Sequence, residues 1–287
     1  MKLTYSSFID KARRELSAVY EAEEAKSLAF RLFESVEQVP VYRVISAPDT
    51  EIPEDRAMRL SGMLEELKNC RPLQYVIGEA EFGRLTFKVK EGVLIPRSET
   101  EELLMRAVEE SSGTPAVIMD LCTGSGCLAW SLADFYPSAR VYAFDLSDAA
   151  LEIAASQQVG KGHPEIVKAD VLQMPPLSGI PDMKGQVDLL VSNPPYVRVC
   201  EKALMHRNVL DYEPDMALFV EDDDPLVFYR ALARHAAYYL SGNGRGYFEI
   251  NEAFGPETAE CFRAEGFRSV EVIRDLNGRD RMVRILR

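Results

Sequence analysis

The residues best equipped for chemistry lie in Val187-Asp-Leu-Leu-Val-Ser-Asn-Pro-Pro-Tyr196. A run from Val187 to Val191, apolar except for Asp188, breaks into Asn193-Pro194-Pro195-Tyr196. Two consecutive prolines have fixed φ and no N–H, so the segment is stiff and cannot join a β-ladder. The Pro194 carbonyl is left free to accept a hydrogen bond, and the Asn193 side chain offers a second acceptor as well as donors. Two acceptors held side by side suit a planar –NH2 group, and Tyr196 supplies a flat wall for it to stack on. The stretch suits the grip of an amide or an exocyclic amine. An Asn-Pro turn by itself commonly does no more than end a strand. The second proline, the tyrosine and the apolar run before them favour a site.

A second constellation lies upstream in Asp120-Leu-Cys-Thr-Gly-Ser-Gly126. Gly124 and Gly126 permit a tight turn and close approach of backbone to a ligand. A helix N-terminus beyond them favours an anionic group. Asp145 falls at the end of the next apolar run, where its carboxylate can accept from both hydroxyls of a ribose. Gly124-x-Gly126-x-x-Ala129 with Asp145 fits a dinucleotide fingerprint, but NAD and S-adenosylmethionine use similar loops. The loop alone names neither cofactor. Asn193-Pro-Pro-Tyr196 separates them, because hydride transfer has no use for it and methyl transfer to an amide nitrogen does. The nitrogen's delocalised lone pair is a weak nucleophile. Two acceptors on its hydrogens raise its electron density and aim it, so positioning and electrostatics carry the reaction. No strong base is needed, and the chain has only three histidines.

Strands and helices must hold these pieces. From Pro115 onward, apolar runs alternate with helical patterns. Strands are expected at 116–121, 140–145, 166–170, 187–192, 246–250, 269–273 and 282–286. Helices are expected at 127–136, 149–158, 226–240 and 256–265. Such alternation predicts a mainly parallel, doubly wound α/β sheet, with ligands at the carboxyl ends of its strands. The short acidic run Glu221 to Asp224 reads as a solvated loop. Residues 1–72 read as helices instead, with Phe8, Ala12, Leu16 and Val19 near helical spacing and Ser6 or Ser7 as cap. A second helical segment runs 22–33, and a third starts near Pro53. The bundle is equally compatible with a structural cap and with a module that recognises a protein partner. Residues 73–95 read as a β-hairpin linker, from the alternation between Leu85 and Val89. A further helix is expected at 99–110, capped by Ser98. The expected domains are thus 1–72, the linker 73–95, and 96–287.

Composition narrows the classes. The 287 residues are 47% hydrophobic and 28% charged, ordinary for a globular chain. No apolar run approaches the ~20 residues of a membrane span. The start of the chain has no apolar signal core, so a cytoplasmic protein is expected. A monomer is expected as well. Five scattered cysteines without Cys-x-x-Cys predict reduced thiols acting as small, partly buried hydrophobes, with no metal site. The net charge of −13 argues against binding a nucleic-acid backbone, which needs clustered Lys and Arg. It fits a basic partner or a small ligand.

Beyond these readings, the sequence resembles the HemK/PrmC family of protein-(glutamine-N5) methyltransferases. The resemblance rests on Pro72-Leu-Gln-Tyr-Val-Ile-Gly78, on Leu94-Ile-Pro-Arg-Ser-Glu-Thr-Glu-Glu-Leu103, on Thr123-Gly-Ser-Gly-Cys127 and on Val191-Ser-Asn-Pro-Pro-Tyr196. Glu213-Pro214, Glu249-Ile250 and Arg274-Asp275-Leu276 extend it. It implies a Rossmann-like class I S-adenosylmethionine-dependent methyltransferase sheet with a small N-terminal helical bundle domain. The implied substrate is the glutamine of the Gly-Gly-Gln motif in class-I peptide chain release factors, which the bundle would help to dock. Asn193, Pro194, Pro195 and Tyr196 would form the catalytic tetrapeptide, with Asn193 and the Pro194 carbonyl holding the substrate amide. Cys122, Thr123, Gly124, Ser125, Gly126, Asp145 and Leu146 would hold S-adenosylmethionine, with Asp170 and Val171 near the adenine and Asn193 beside the reacting centre. Cys122 stands where the family usually has glycine. Arg97 and Glu99 either brace the linker or also contact substrate. Asn-Pro-Pro-Tyr is shared with amino-methyltransferases of DNA and RNA bases, which is the alternative activity.

Overall fold

The computed structural model describes residues 3–111 and 113–287. They form two compact units: residues up to Gly78 together with His206–Tyr212, and Glu79–Met205 together with Glu213–Arg287.

The first unit is helical. Helix α1 (Tyr5–Leu16), α2 (Ala22–Glu37) and α3 (Glu54–Lys68) are joined through a short helical turn at Tyr42–Ser46. Tyr5, Phe8, Ile9, Ala12 and Leu16 recur at helical spacing and are all buried. They meet Leu32, Phe33, Leu60, Leu64 and Leu67 in one apolar core. Each fully buried Leu or Phe contributes roughly 1.5–3 kcal/mol over leaving it exposed. The cap of α1 is Thr4 rather than Ser6 or Ser7. Thr4 Oγ1 accepts from the Ser7 N–H while Ser7 Oγ accepts from the Thr4 N–H, a reciprocal box. Val19 lies past the helix end and is 44% exposed, so it is not part of the stripe. Tyr212 Oη donates to the Asn69 carbonyl at 2.8 Å and ties the 206–212 segment into this unit.

The second unit is built on a seven-stranded sheet. Its strands are β1 (Val117–Leu121), β2 (Arg140–Asp145), β3 (Glu165–Lys168), β4 (Val187–Ser192), β5 (Leu240–Glu249), β6 (Ser269–Arg274) and β7 (Asp280–Leu286). The spatial order is β6-β7-β5-β4-β1-β2-β3. Strands β1 to β5 pair in parallel, and β7 runs antiparallel between β5 and β6. The order reverses beside β1, where an open α/β sheet leaves a crevice at its strand ends. Helices α4 (Ser98–Glu109) and α5 (Cys127–Phe135) supply Leu103, Leu104, Leu128 and Leu132 to one face. Helices α7 (Val227–Tyr239) and α8 (Gly255–Ala264) supply Tyr229, Leu232, Ala236 and Phe262 to the other, and α6 (Asp148–Ser156) follows β2. Along β1, Val117, Met119 and Leu121 point to one core and Ile118 to the other, so an unbroken apolar run is needed.

Three expectations are corrected at element ends. Residues 73–77 form a helical turn, and the antiparallel hairpin is confined to Glu79–Phe82 and Leu85–Lys88. Gly78, at φ +88°, ends the turn in a left-handed conformation that glycine takes without strain. Ser98 is the first residue of α4 rather than its cap, because Arg97 holds the extended cap position without a side-chain bond. Strand β5 begins at Leu240, six residues earlier than expected. The cysteines are free, and Cys200 is exposed rather than partly buried. Among the described residues no helix is long and apolar enough to cross a membrane, and no cluster of His, Cys, Asp or Glu could hold a metal ion.

Candidate active site

The β1–α5 connection turns sharply because three of its residues adopt positive φ: Cys122 (+64°), Gly124 (+56°) and Gly126 (+82°). Glycine does this freely, whereas a β-carbon at Cys122 costs roughly 1–2 kcal/mol. The turn is anchored from beneath by Asp120, which is fully buried. Its Oδ2 accepts from Thr123 Oγ1 at 2.6 Å and from the Ala129 N–H at 3.2 Å. Burial pushes the Asp120 carboxyl up to about 7, against the pull of those two donors.

From β2, the Asp145 carboxylate meets the loop from the side. Its Oδ2 accepts from the Gly124 N–H at 2.8 Å and its Oδ1 from the Ser147 N–H at 2.9 Å. Each oxygen keeps a lone pair for a ligand hydroxyl. Burial raises this carboxyl as well, opposed by the backbone donors. Asp145 borders a cleft at the sheet's switch point, with Gly124, Leu146, Ala150, Val171 and Phe228 among its walls. Its empty space, mouth included, is ≈ 760 Å³.

A smaller recess adjoins it, with ≈ 270 Å³ of empty space, mouth included, lined by Leu94, Arg97, Asn193, Pro194, Tyr196 and neighbours. Leu94, Asn193 and Ala217 line both spaces, so Asn193 stands at their junction. Pro195 faces the cleft and Pro194 the recess. Arg97 Nη2 donates to Glu213 Oε1 at 2.6 Å, and Glu213 Oε2 accepts from the Ile95 N–H at 3.1 Å. Glu213 thereby fixes the guanidinium at the recess and the backbone at Ile95.

Behind Asn193 lies a hydrogen-bonded group that the motif does not contain. Asn193 Nδ2 donates to Thr100 Oγ1 at 2.9 Å. Thr100 Oγ1 donates to Glu249 Oε2 at 2.6 Å, and Tyr196 Oη donates to Glu249 Oε1 at 2.8 Å. Thr100 is in the first turn of α4, and Glu249 is the last residue of β5. Burial pushes the Glu249 carboxyl up, opposed by both hydroxyl donors and by Arg281. Burial and the neighbouring Glu249 push the Tyr196 phenol well up, so it stays a donor.

The structure therefore gathers Cys122, Gly124, Asp145, Leu146, Asp170, Val171 and Asn193 around the cleft, and Arg97, Pro194 and Tyr196 around the recess. Thr123, Ser125 and Gly126 shape the loop without lining either space: Thr123 bonds Asp120, and the Ser125 carbonyl accepts from Gln157 Nε2. Glu99 also lines neither, and accepts from Ser98 Oγ. Sequence reasoning missed Thr100, Glu249, Ser147 and Phe228 as site residues. Thr100 and Glu249 belonged to motifs already noticed, but nothing in either motif pairs them.

The residues present fit a nucleoside-bearing sulfonium. Apolar walls suit a flat base, the Asp145 lone pairs suit ribose hydroxyls, and two carboxylates, Asp145 and Asp170, suit a cationic ligand. Comparison with known proteins agrees. Residues 98–210 match the model of the methyltransferase small domain. The chain is 38% identical over 275 residues to a release factor glutamine methyltransferase of Flavobacterium psychrophilum, covering 94% of each chain. It is 37% identical over 277 residues to one of Bacteroides thetaiotaomicron, covering 94% of this chain and 96% of that one. The crystal structure of a methyltransferase from Pyrococcus furiosus superposes with a TM-score of 0.50 at 16% identity, over 82% of this chain and 98% of that one, which shows the shared fold.

Proposed function

Because the chain belongs to the release factor glutamine methyltransferase family, we propose that it transfers a methyl group from S-adenosylmethionine to the side-chain N5 of the Gly-Gly-Gln glutamine in class-I peptide chain release factors. The observation that carries this reading is Asn193, which lines both the cleft beside Asp145 and the recess beside Arg97. Gly124, Asp145, Leu146, Asp170 and Val171 would hold the cofactor. Bound there, S-adenosylmethionine supplies an electrophilic sulfonium methyl.

The chain's own residues then do the positioning. Asn193 Oδ1 and the Pro194 carbonyl accept the two hydrogens of the glutamine –NH2. The acceptors draw electron density onto a nitrogen whose lone pair is otherwise delocalised, and they fix its approach. The stiff prolines keep the two acceptors in register without cost at the moment of reaction. Tyr196, with its hydroxyl committed to Glu249, presents its ring to the recess. Arg97, held by Glu213, is placed to meet a polar group of the substrate at the recess. A helical recognition module over 1–72, a linker over 73–95 and a methyltransferase domain over 96–287 belong to the same reading. The separate apolar core of the helical unit supports it. The cytoplasm, where release factors work, is the expected compartment.

The test is mass spectrometry of a purified release factor after incubation with the protein and S-adenosylmethionine. One added methyl, mapped to the Gly-Gly-Gln glutamine, is expected. Methyl transfer to nucleic acid with none to the release factor would overturn the reading.

A further inference from the structure

Two buried residues behind Asn193 decide which way its amide faces. Thr100 and Glu249 are 2% and 1% exposed. An ionised carboxylate can only accept, so the single hydroxyl proton of Thr100 goes to Glu249 Oε2, at 2.6 Å. The Tyr196 proton occupies Oε1 in the same way, at 2.8 Å. Thr100 Oγ1 is left with lone pairs alone, and these take an Asn193 Nδ2–H at 2.9 Å. Asn193 Oδ1 accepts no hydrogen bond among the described residues and belongs to a side chain bordering both cavities. Rotating the amide by half a turn would set Oδ1 against the Thr100 lone pairs. It would also present –NH2 to an incoming –NH2.

We propose that Thr100 and Glu249 are positioning residues for methyl transfer: the Glu249 carboxylate orients the Thr100 hydroxyl, which locks the Asn193 amide with its oxygen toward the acceptor nitrogen. The inference rests on the reading that Asn193 holds that nitrogen's hydrogens. It assigns a role to residues from α4 and β5, 149 positions apart, that the Asn-Pro-Pro-Tyr motif does not include.

The experiment compares Thr100→Val, which keeps the shape and removes the hydroxyl, with Thr100→Ser, which keeps the hydroxyl. For Thr100→Val, kcat on a release factor falls at least about tenfold, as expected for a lost buried hydrogen bond acting in the transition state. The cofactor Kd by calorimetry and the KM for release factor stay within about threefold. Thr100→Ser recovers most of the rate. A second readout needs no turnover. In a 15N side-chain spectrum, assigned with Asn193→Asp, the two Asn193 Nδ2 protons are widely separated and one exchanges slowly. Both features persist in Thr100→Ser and collapse in Thr100→Val. A Thr100→Val enzyme with wild-type kcat per folded molecule, or with an unchanged Asn193 signal, overturns the proposal. A wild-type enzyme that labels no release factor overturns the functional reading instead, and the spectrum still decides whether Thr100 orients Asn193.

Discussion

Replacing Asp120 by asparagine should remove a pH dependence of stability that the wild type carries. Asp120 lies under the cofactor loop, wholly buried, and among the described residues its Oδ1 has no partner. Desolvation holds its carboxyl at about 7, against 3.8 for an unperturbed group. The sign follows from linkage. Below 3.8 the group is protonated in both states, and its contribution to stability is fully present. Between 3.8 and about 7 the unfolded chain ionises while the folded one does not, so stability falls as pH rises. Above about 7 the fold carries a buried charge and the loss is complete. A rise from 3.8 to about 7, at about 1.4 kcal/mol per pH unit, makes that loss roughly 4 kcal/mol at most. Asparagine cannot ionise. Its carbonyl can serve Thr123 and Ala129, while its –NH2 replaces an oxygen without a partner, which costs roughly 1–3 kcal/mol at any pH. Asp120→Asn is therefore less stable than wild type at pH ~4, and gains on it by up to roughly 4 kcal/mol by pH ~8. Urea titrations across this range, followed by fluorescence of the single tryptophan, Trp130 in α5, read the unit that contains the site. A difference between the two proteins that does not vary with pH would refute the reasoning.

Three further outcomes follow from the same geometry. Asp145→Asn should weaken S-adenosylmethionine binding by about 10- to 100-fold in calorimetry, the value of one or two charge-assisted hydrogen bonds; an unchanged Kd would remove Asp145 from the cofactor site. The kcat–pH profile should show an acid limb above the ordinary glutamate range of ~4.3, because burial raises Glu249, the Thr100 and Tyr196 hydroxyls and Arg281 oppose it, and Glu99 adds to it. Activity is then present above the raised value and lost as pH falls through it, and Thr100→Val should abolish that limb; a limb identical in Thr100→Val counts against the role of Glu249. In the helical unit, Leu32→Ala should cost roughly 2–5 kcal/mol by far-ultraviolet circular dichroism in urea, since Leu32 is fully buried in its core; a loss under about 0.5 kcal/mol would mean that the core repacks around it.

Much of the fold was legible because both faces of the central strands are buried. Leu189 to Val191 has to be apolar throughout, because successive residues feed opposite cores, and that pattern survives in one dimension. The tetrapeptide was legible because proline and asparagine carry their geometry with them. The early start of β5 at Leu240 was not, because the register with β4 breaks across Gly242-Asn243-Gly244 before regular pairing resumes at Arg245. Nor was the helical turn at 73–77, where the apolar residues are too few to show a period. Residues 206–212 join the helical unit through contacts distant in sequence, such as Tyr212 with Asn69. Thr100 and Glu249 were hidden for the same reason: a threonine in a first helical turn and a glutamate at a strand end are each unremarkable until the fold brings them to 2.6 Å. Within the cofactor loop, residue types gave the turn but not the exposure. Cys122 and Gly124 reach the cleft, while Thr123 and Ser125 turn inward.

The most direct test of the account is transfer of radiolabelled methyl from S-adenosylmethionine to a release factor. Gly-Gly-Gln and Gly-Gly-Ala versions are compared, each with wild-type protein and with Asn193→Ala. The account predicts label on the Gly-Gly-Gln protein alone, and its loss with Asn193→Ala. Equal label on both versions, or full label with Asn193→Ala, would contradict it.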